Sequence, residues 1–372
     1  MSKSQPAVLR WGVIGLGRAF MLMLPAFRGD PRFRLLAAAD PRPDARAQFE
    51  RDFGVQAFAD AAAVCAHPDV DAIYVASPHA EHERHVVLAA QHRKHVMVEK
   101  PMAISLDACS RMIEACERSQ VVLMVGHSHG LDAPIDRCQE LIQTKRFGEV
   151  RMVTALNFTD FMFRPRARAE LDPALGGGVV LNQGAHQVDI ARRLCGGLVE
   201  QVDAWTGSWD LMRKGEGAYT ALLRFRSGAV ANLTYSGYAH FNSDLWMDGV
   251  GELGRPVPPG KHHQTRGRLL AAIASDSEQD LKAHRLYGGA PAPTAALGLA
   301  GGHQHFGPLI ISCEKADIRP SPLGLHIDAD DGYYFEPMSP PVVERQEVFD
   351  AFLRGMEQTP TSLHNGRWGR AT

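Results

Sequence analysis

From Val8 to Val125, short apolar runs alternate with longer stretches in which apolar residues recur every three or four positions. The runs LRWGVIG, FRLLAAAD, AIYVASP, HVMVEKP and VVLMVGHS read as strands, and PDARAQFERDFG, EHERHVVLAAQHR and LDACSRMIEACERSQ read as amphipathic helices between them. Four of the five strands show little polar alternation, as expected where both faces of a parallel sheet are covered by helices. The pattern predicts a βαβ domain, doubly wound about a parallel sheet.

Past Asp132 the rhythm changes. VRMVTALNFTDF, AYTALLRFRSGAVANLTYSGY and HFGPLIISCE predict longer strands in antiparallel order, with FRSGAV as a hairpin turn. Residues 251–302 are rich in Gly, Pro, Ala and His, and predict one helix over RLLAAIASDSEQDLKAHRL flanked by long loops. PPVVERQEVFDAFLRGMEQ predicts a closing amphipathic helix. The division expected is 1–130, the βαβ domain, and 131–372, an α/β domain with an open, largely antiparallel mixed sheet.

Composition narrows the classes. With 372 residues, 45% hydrophobic, the chain can bury two cores. Its 40 basic and 42 acidic side chains give a net charge of -2, so no global field favours nucleic acid or an anionic membrane, and neither is expected as a partner. No apolar run near the start resembles a signal peptide, and none elsewhere approaches a membrane span, which predicts a cytoplasmic protein. The six cysteines form no CxxC pair and suit buried thiols.

Chemistry enters at the strand ends. Gly15-Leu16-Gly17, followed by Arg18 and Ala19, stands between the first strand and a helical stretch. There one glycine permits a tight turn, another lets backbone approach a pyrophosphate, and the helix N-terminus offers free N–H groups. Phe20 occupies the place of the third fingerprint glycine. Asp40, at the end of the second strand, is positioned to accept both ribose hydroxyls of NAD, and the same residue also suits an Asx turn before Pro41. Arg42 leaves NADP open, because a guanidinium can fork onto a 2′-phosphate. Lys100, in VEKP, can be a strand terminator or a proton-transfer group.

Together GVIGLGRA, AAADPRPDARAQF, YVASPHAEHERHVVLAA, VEKP and GGGVVLNQGAHQVDIARRLCGG resemble the glucose-fructose oxidoreductase, inositol dehydrogenase and MocA family, Gfo/Idh/MocA, over nearly the whole chain. The resemblance implies a Rossmann domain joined to an α/β domain, an active site in the cleft between them, and a homodimer or homotetramer. It implies that Lys100 is the catalytic lysine beside the nicotinamide, with Glu99 and Pro101 shaping its turn. Ser77, Pro78 and His79 would line the nicotinamide side, with His82 at the family's usual histidine. It carries His186 over as a second catalytic residue. Asn182 stands where inositol-type members have Asp, removing a charge that would raise the histidine's pKa, yet still able to hydrogen-bond the substrate. His186 can alternatively be a packed histidine at a helix start.

Oxidising a secondary alcohol requires a group to take the hydroxyl proton. Burial and the positive nicotinamide would both favour a neutral lysine for that work. Arg164, Arg166 and Arg168 lead into the GGG segment. They form either a solvated face or forks for an anionic substrate. With GLGRAFMLMLP and the segment from HFGPLII to GYYFE, they resemble the 4,5-dihydroxyphthalate (phthalate cis-dihydrodiol) dehydrogenase branch. That implies a small, dicarboxylated cyclic diol as substrate, with His127 and His129 of GHSHG facing it. A sugar or inositol dehydrogenase and a non-catalytic NAD(P)-sensing protein are the alternatives. His262, His263, His303 and His305 lack a complete ligand set, so no metal is expected.

Overall fold

The computed structural model describes residues 8–213, 215–238, 240–258, 260, 262–289, 301–357 and 364–372. They form two compact units. The first gathers the described parts of Met1–Gly126, Lys282–Ala296 and Val343–Ala371, and the second those of His127–Leu281 and Leu297–Val342, with Thr372. The described residues 282–289, 343–357 and 364–371 belong to the first unit.

In the first unit the chain runs β1 (Leu9–Ile14), α1 (Arg18–Gly29), β2 (Phe33–Ala39), α2 (Pro43–Phe53), β3 (Ala57–Phe58), α3 (Ala61–Cys65), β4 (Ala72–Val75), α4 (His82–Gln91), β5 (His95–Glu99), α5 (Leu106–Arg118) and β6 (Leu123–Gly126). The strands make one parallel sheet in the order β3-β2-β1-β4-β5-β6. The strand order reverses between β1 and β4, the place where such sheets bind ligands. Local chemistry sets the helix ends. Pro43 opens α2 and Gly54, in the left-handed region, closes it, while Ser105 caps α5 by accepting the Ala108 N–H at 3.2 Å.

The second unit holds α6 (Ala133–Gln143), β7 (Val150–Phe158), α7 (Ala185–Cys195), β8 (Val199–Gly207), β9 (Ala218–Phe225), β10 (Val230–Ser236), α8 (His263–Ala274), α9 (Glu278–Ala283, whose last two residues belong to the first unit), β11 (Leu309–Cys313), β12 (Ala316–Ser321), β13 (Gly324–Ala329) and β14 (Gly332–Pro337). Its eight strands lie in the order β14-β13-β12-β11-β7-β10-β9-β8. Every pairing is antiparallel except β7 with β10. One face packs against α6 and α7 through Val153, Leu223, Leu233, Ile311 and Ile318. The expected hairpin is present, with Gly228 in the left-handed region and Phe225 bonded to Ala229. The single helix expected over 268–286 is instead α8 and α9, because Asp276 adopts φ 51° and breaks the helix. The chain then continues into α10 (Gln346–Met356) and α11 (Gly366–Ala371), which pack on the first unit.

Candidate active site

The glycine turn follows directly from β1. Gly15 has φ 95°, and a Cβ there would lie 2.6 Å from the Ala76 carbonyl oxygen, so no other residue fits without moving backbone. Gly17 precedes α1, whose first turn has neither a side-chain cap nor an acidic residue. Arg18 and Ala19 open that helix, leaving an N-terminal dipole and N–H groups suited to a pyrophosphate. Phe20 is wholly buried and meets Phe27, Phe49 and Tyr287, which is why a glycine is not needed at its place.

Asp40 sits at the end of β2, as expected, but its carboxylate already accepts four hydrogen bonds. Leu16 N–H donates to Oδ2 at 2.8 Å, and Arg42 donates from its backbone N (2.9 Å) and Nε (3.1 Å) to Oδ1 and from Nη2 (3.3 Å) to Oδ2. Four bonds fill a carboxylate's acceptor positions. The two longest, both from the guanidinium, are those that a pair of ribose hydroxyls would replace. The glycine turn, the uncapped helix and this carboxylate fit a dinucleotide.

Beside them, the ends of β4 and β5 are tied together by a histidine. His82 is completely buried, with Nε2 2.9 Å from the Ser77 carbonyl and Nδ1 3.0 Å from that of Pro101. Burial lowers its pKa, although those carbonyls act in the opposite sense. Its ring therefore holds two loops in place, the one after β4 and the one that follows Lys100. Ser77 Oγ lies 2.8 Å from His85 Nδ1, and Arg84 donates to His85 Nε2 at 2.9 Å. That arrangement fixes the tautomer with the proton on Nδ1. Burial, then Arg84, lowers the His85 pKa to about 4, so Ser77 accepts from His85 and its own hydroxyl proton points elsewhere. Pro78 and His79 begin the short turn before α4. Glu99 Oε1 accepts the buried Tyr74 hydroxyl at 2.5 Å, and Lys100 follows immediately after β5.

The second unit carries the other candidates. Asn182 lies in a π-helical turn (Val180–Gly184) leading into α7, where such widened turns often accompany function. Its Nδ2 donates to the carbonyls of Gly176 (2.9 Å) and Gly178 (2.7 Å). Asn182 is thus a donor that closes the glycine run, rather than an aspartate that has lost its charge. His186, one turn later and buried, meets His129 edge-on at 4.8 Å and Phe306 at 4.7 Å.

His129 Nδ1 is 2.8 Å from Asp132 and Nε2 3.4 Å from Glu252. Burial alone would depress its pKa, but the two carboxylates outweigh that and raise it to about 9. His127 is buried at the start of the same short turn. Arg164 pairs with Asp160 at 2.6 Å and stands 4.0 Å from Glu252. Arg166 lies 3.7 Å over the Phe161 ring and 3.7 Å from Glu170. Neither arginine is the bare fork expected for a substrate carboxylate, since each already has internal acidic neighbours. The side chain of Arg168 lies outside the described residues. The spacing of His129 and Asp132 foreshadows their pairing, whereas Glu252 and Phe306 had no signal in the sequence.

Five of the six cysteines are buried and all are unpaired. Among the described residues, no group of three or more His, Cys, Asp or Glu is arranged to hold a metal. His305 Nε2 instead faces the Val250 carbonyl at 2.9 Å. No helix among the described residues is long and apolar enough to cross a membrane.

A parallel sheet with this glycine turn and acidic strand end is the arrangement of an NAD-binding Rossmann domain. Residues 9–127 match the family model described as an oxidoreductase family with NAD-binding Rossmann fold, and residues 135–256 match the GFO/IDH/MocA C-terminal domain. The chain belongs to the GFO/IDH/MocA oxidoreductase family, as the sequence motifs imply. It is 44% identical to 1-carboxy-3-chloro-3,4-dihydroxycyclohexa-1,5-diene dehydrogenase of Comamonas testosteroni, across 98% of this chain and 92% of that protein. A putative dehydrogenase from Bordetella bronchiseptica RB50 superposes with TM-score 0.90 at 35% identity, covering 98% and 94% of the two chains. An oxidoreductase from Agrobacterium radiobacter, solved with NAD+, L-tartaric acid and magnesium, shares the fold at TM-score 0.70 and 20% identity, with 98% and 93% coverage.

Proposed function

We propose that this protein uses NAD to oxidise a carboxylated cyclohexadiene cis-diol to the corresponding catechol. The observation that carries the reading is the 44% identity, over 98% of the chain, to a dehydrogenase named for a carboxylated, chlorinated dihydroxycyclohexadiene. A 4,5-dihydroxyphthalate-type diol, with two carboxylates, is the narrower form of the same proposal.

Bound NAD supplies the hydride acceptor. The residues of this chain have the remaining tasks. The glycine turn and α1 bind the pyrophosphate, Asp40 the adenosine ribose, and the Ser77 hydroxyl donates toward the nicotinamide half. Lys100 Nζ takes the hydroxyl proton as the carbinol C–H bond breaks with its electron pair and the C=O bond forms. The ring ketone so formed loses a proton from the neighbouring carbon and becomes aromatic, which makes the oxidation one-way. His186 is the second proton-handling group, kept in orientation by His129 and Phe306. His82 positions Lys100 by fixing the turn that follows it.

The test is NAD reduction, followed at 340 nm, with the cis-dihydrodiols of a monocarboxylated and a dicarboxylated arene, myo-inositol and glucose. A carboxylated diol should exceed every neutral polyol in kcat/KM by about a hundredfold, the order of discrimination a site reaches between substrates that differ in a polar group it is built to bind. Turnover confined to a neutral polyol overturns the carboxylate reading and favours a sugar or inositol dehydrogenase.

A further inference from the structure

The insertion at 251–302 has no part in the function above, yet its described end reaches the nucleotide turn of the first unit. The Tyr287 ring meets Phe20 edge-on at 5.1 Å, and its hydroxyl donates to Asp52 Oδ2 at 2.5 Å. Burial, then Asp52, pushes the phenol's pKa upward, so it remains a donor. Gly288 has φ 74°, and a Cβ there would lie 2.6 Å from the Ala45 Cα, so only glycine lets this turn rest on α2. Laid down in this way, the turn directs the Tyr287 carbonyl at Arg42 Nη1, 3.1 Å away.

Arg42 is consequently held on several sides. Nη1 is bonded to the Tyr287 carbonyl, Nη2 to the Leu16 carbonyl at 2.8 Å and to Asp40 at 3.3 Å, and Nε to Asp40 at 3.1 Å. All three guanidinium nitrogens are engaged. To grip a 2′-phosphate, the guanidinium must give up these partners and leave the buried Asp40 carboxylate facing a dianion. A 2′-hydroxyl makes a smaller demand, because it replaces one of the long Arg42–Asp40 bonds while the two carbonyls keep the guanidinium where it is.

We propose that the Tyr287–Gly288 turn is part of the nucleotide site, and that by anchoring Arg42 beside Asp40 it makes the site select NAD over NADP. The inference deepens the function proposed above and rests on Asp40 meeting the adenosine ribose. It gives Phe20 a purpose as well: the side chain in the third glycine's place is the surface on which Tyr287 docks.

The experiment is equilibrium titration of the full chain with NADH and with NADPH, followed by nucleotide fluorescence, which needs neither substrate nor turnover. The unaltered protein should bind NADH about a hundredfold more tightly than NADPH. Tyr287→Ala and Gly288→Ala should lower that ratio about tenfold, mainly through tighter NADPH binding, as Arg42 is released. Arg42→Ala should move the ratio the other way. A chain that is merely loosened loses both nucleotides in proportion, and an unchanged ratio in the folded variants overturns the proposal, as does a ratio near one in the unaltered protein. If Gly288→Ala fails to fold, Tyr287→Ala, which only removes side-chain atoms, carries the test. Asp40→Ala separates the two levels. Unchanged NADH affinity in that variant defeats the ribose reading itself. Weakened NADH binding there, together with an unmoved ratio in the turn variants, defeats only the role of Tyr287 and Gly288.

Discussion

Two glycine-rich turns, one in each unit, look alike in sequence and differ in what their backbone groups do. In Gly15–Gly17 the positive φ and the close approach to Ala76 serve to bring uncapped helix N–H groups to the surface of the sheet. In Gly176–Gly178 the backbone is tied inward: the Asn182 amide holds two carbonyls, the Val179 N–H bonds to the Glu216 carbonyl, and a Cβ on Gly178 would strike the Glu216 carboxylate at 2.1 Å. A turn whose polar groups are spent internally builds structure, whereas one that leaves donors at a helix start is prepared for a ligand.

The contrast breaks if changes around the first turn cost stability alone, or changes around the second cost ligand binding alone. The largest effect belongs to Lys100→Met, which should lower turnover about a thousandfold while leaving NADH affinity within about threefold, as removal of a general base does. Stopped-flow turnover and fluorescence titration measure the two quantities. Next, Gly15→Ala should weaken NADH binding by about a hundredfold, because the new Cβ forces apart backbone that the nucleotide requires in place. Retained affinity in that variant would remove the glycine turn from the site.

Asn182→Asp should cost about 3 kcal/mol, since a carboxylate would face two carbonyl oxygens in place of an amide that donates to both. Calorimetry should show a lowered melting temperature with NADH affinity unchanged. A rise in stability would show that the inositol-type aspartate fits here after all.

The most gradual effect is a pH dependence. The folded pKa of His129, about 9, lies above its unfolded value of about 6.5, so its pairing with Asp132 and Glu252 contributes fully below about pH 6.5. That contribution is lost as pH rises through 9. Melting temperatures should fall across this interval by the equivalent of up to about 3 kcal/mol, and His129→Gln should flatten the fall. An unchanged slope in the variant would assign it to other groups.

What could be read from the sequence followed from how local the causes were. The βαβ order was legible because buried parallel strands show unbroken apolar runs and because proline and glycine punctuate the helices. Strand β8 and the strands β12 to β14 were not anticipated, since ADIRPS, GLHIDA and GYYFEP place charged or exposed residues, and Pro320, inside strands that are half open to water. Gly15, Gly17 and Asp40 stood out by spacing alone. The donor role of Asn182, the buried ring of His82 and the occupied guanidiniums of Arg42, Arg164 and Arg166 depend on partners that the fold supplies, several of them far away in the chain.

One packing feature also bears on the order in which the protein can be made. Trp11, in the first strand, has its ring 4.8 Å from that of Phe352 and 5.5 Å from that of Phe349, both on α10, and Phe27 and Phe33 crowd the same helix. The Val125 N–H at the other side of the sheet bonds to the His364 carbonyl. A nascent chain emerging from the ribosome therefore cannot seal the nucleotide-binding unit when that unit's sheet is complete. Trp11 and its neighbours stay uncovered, open to chaperones, until α10 has been made.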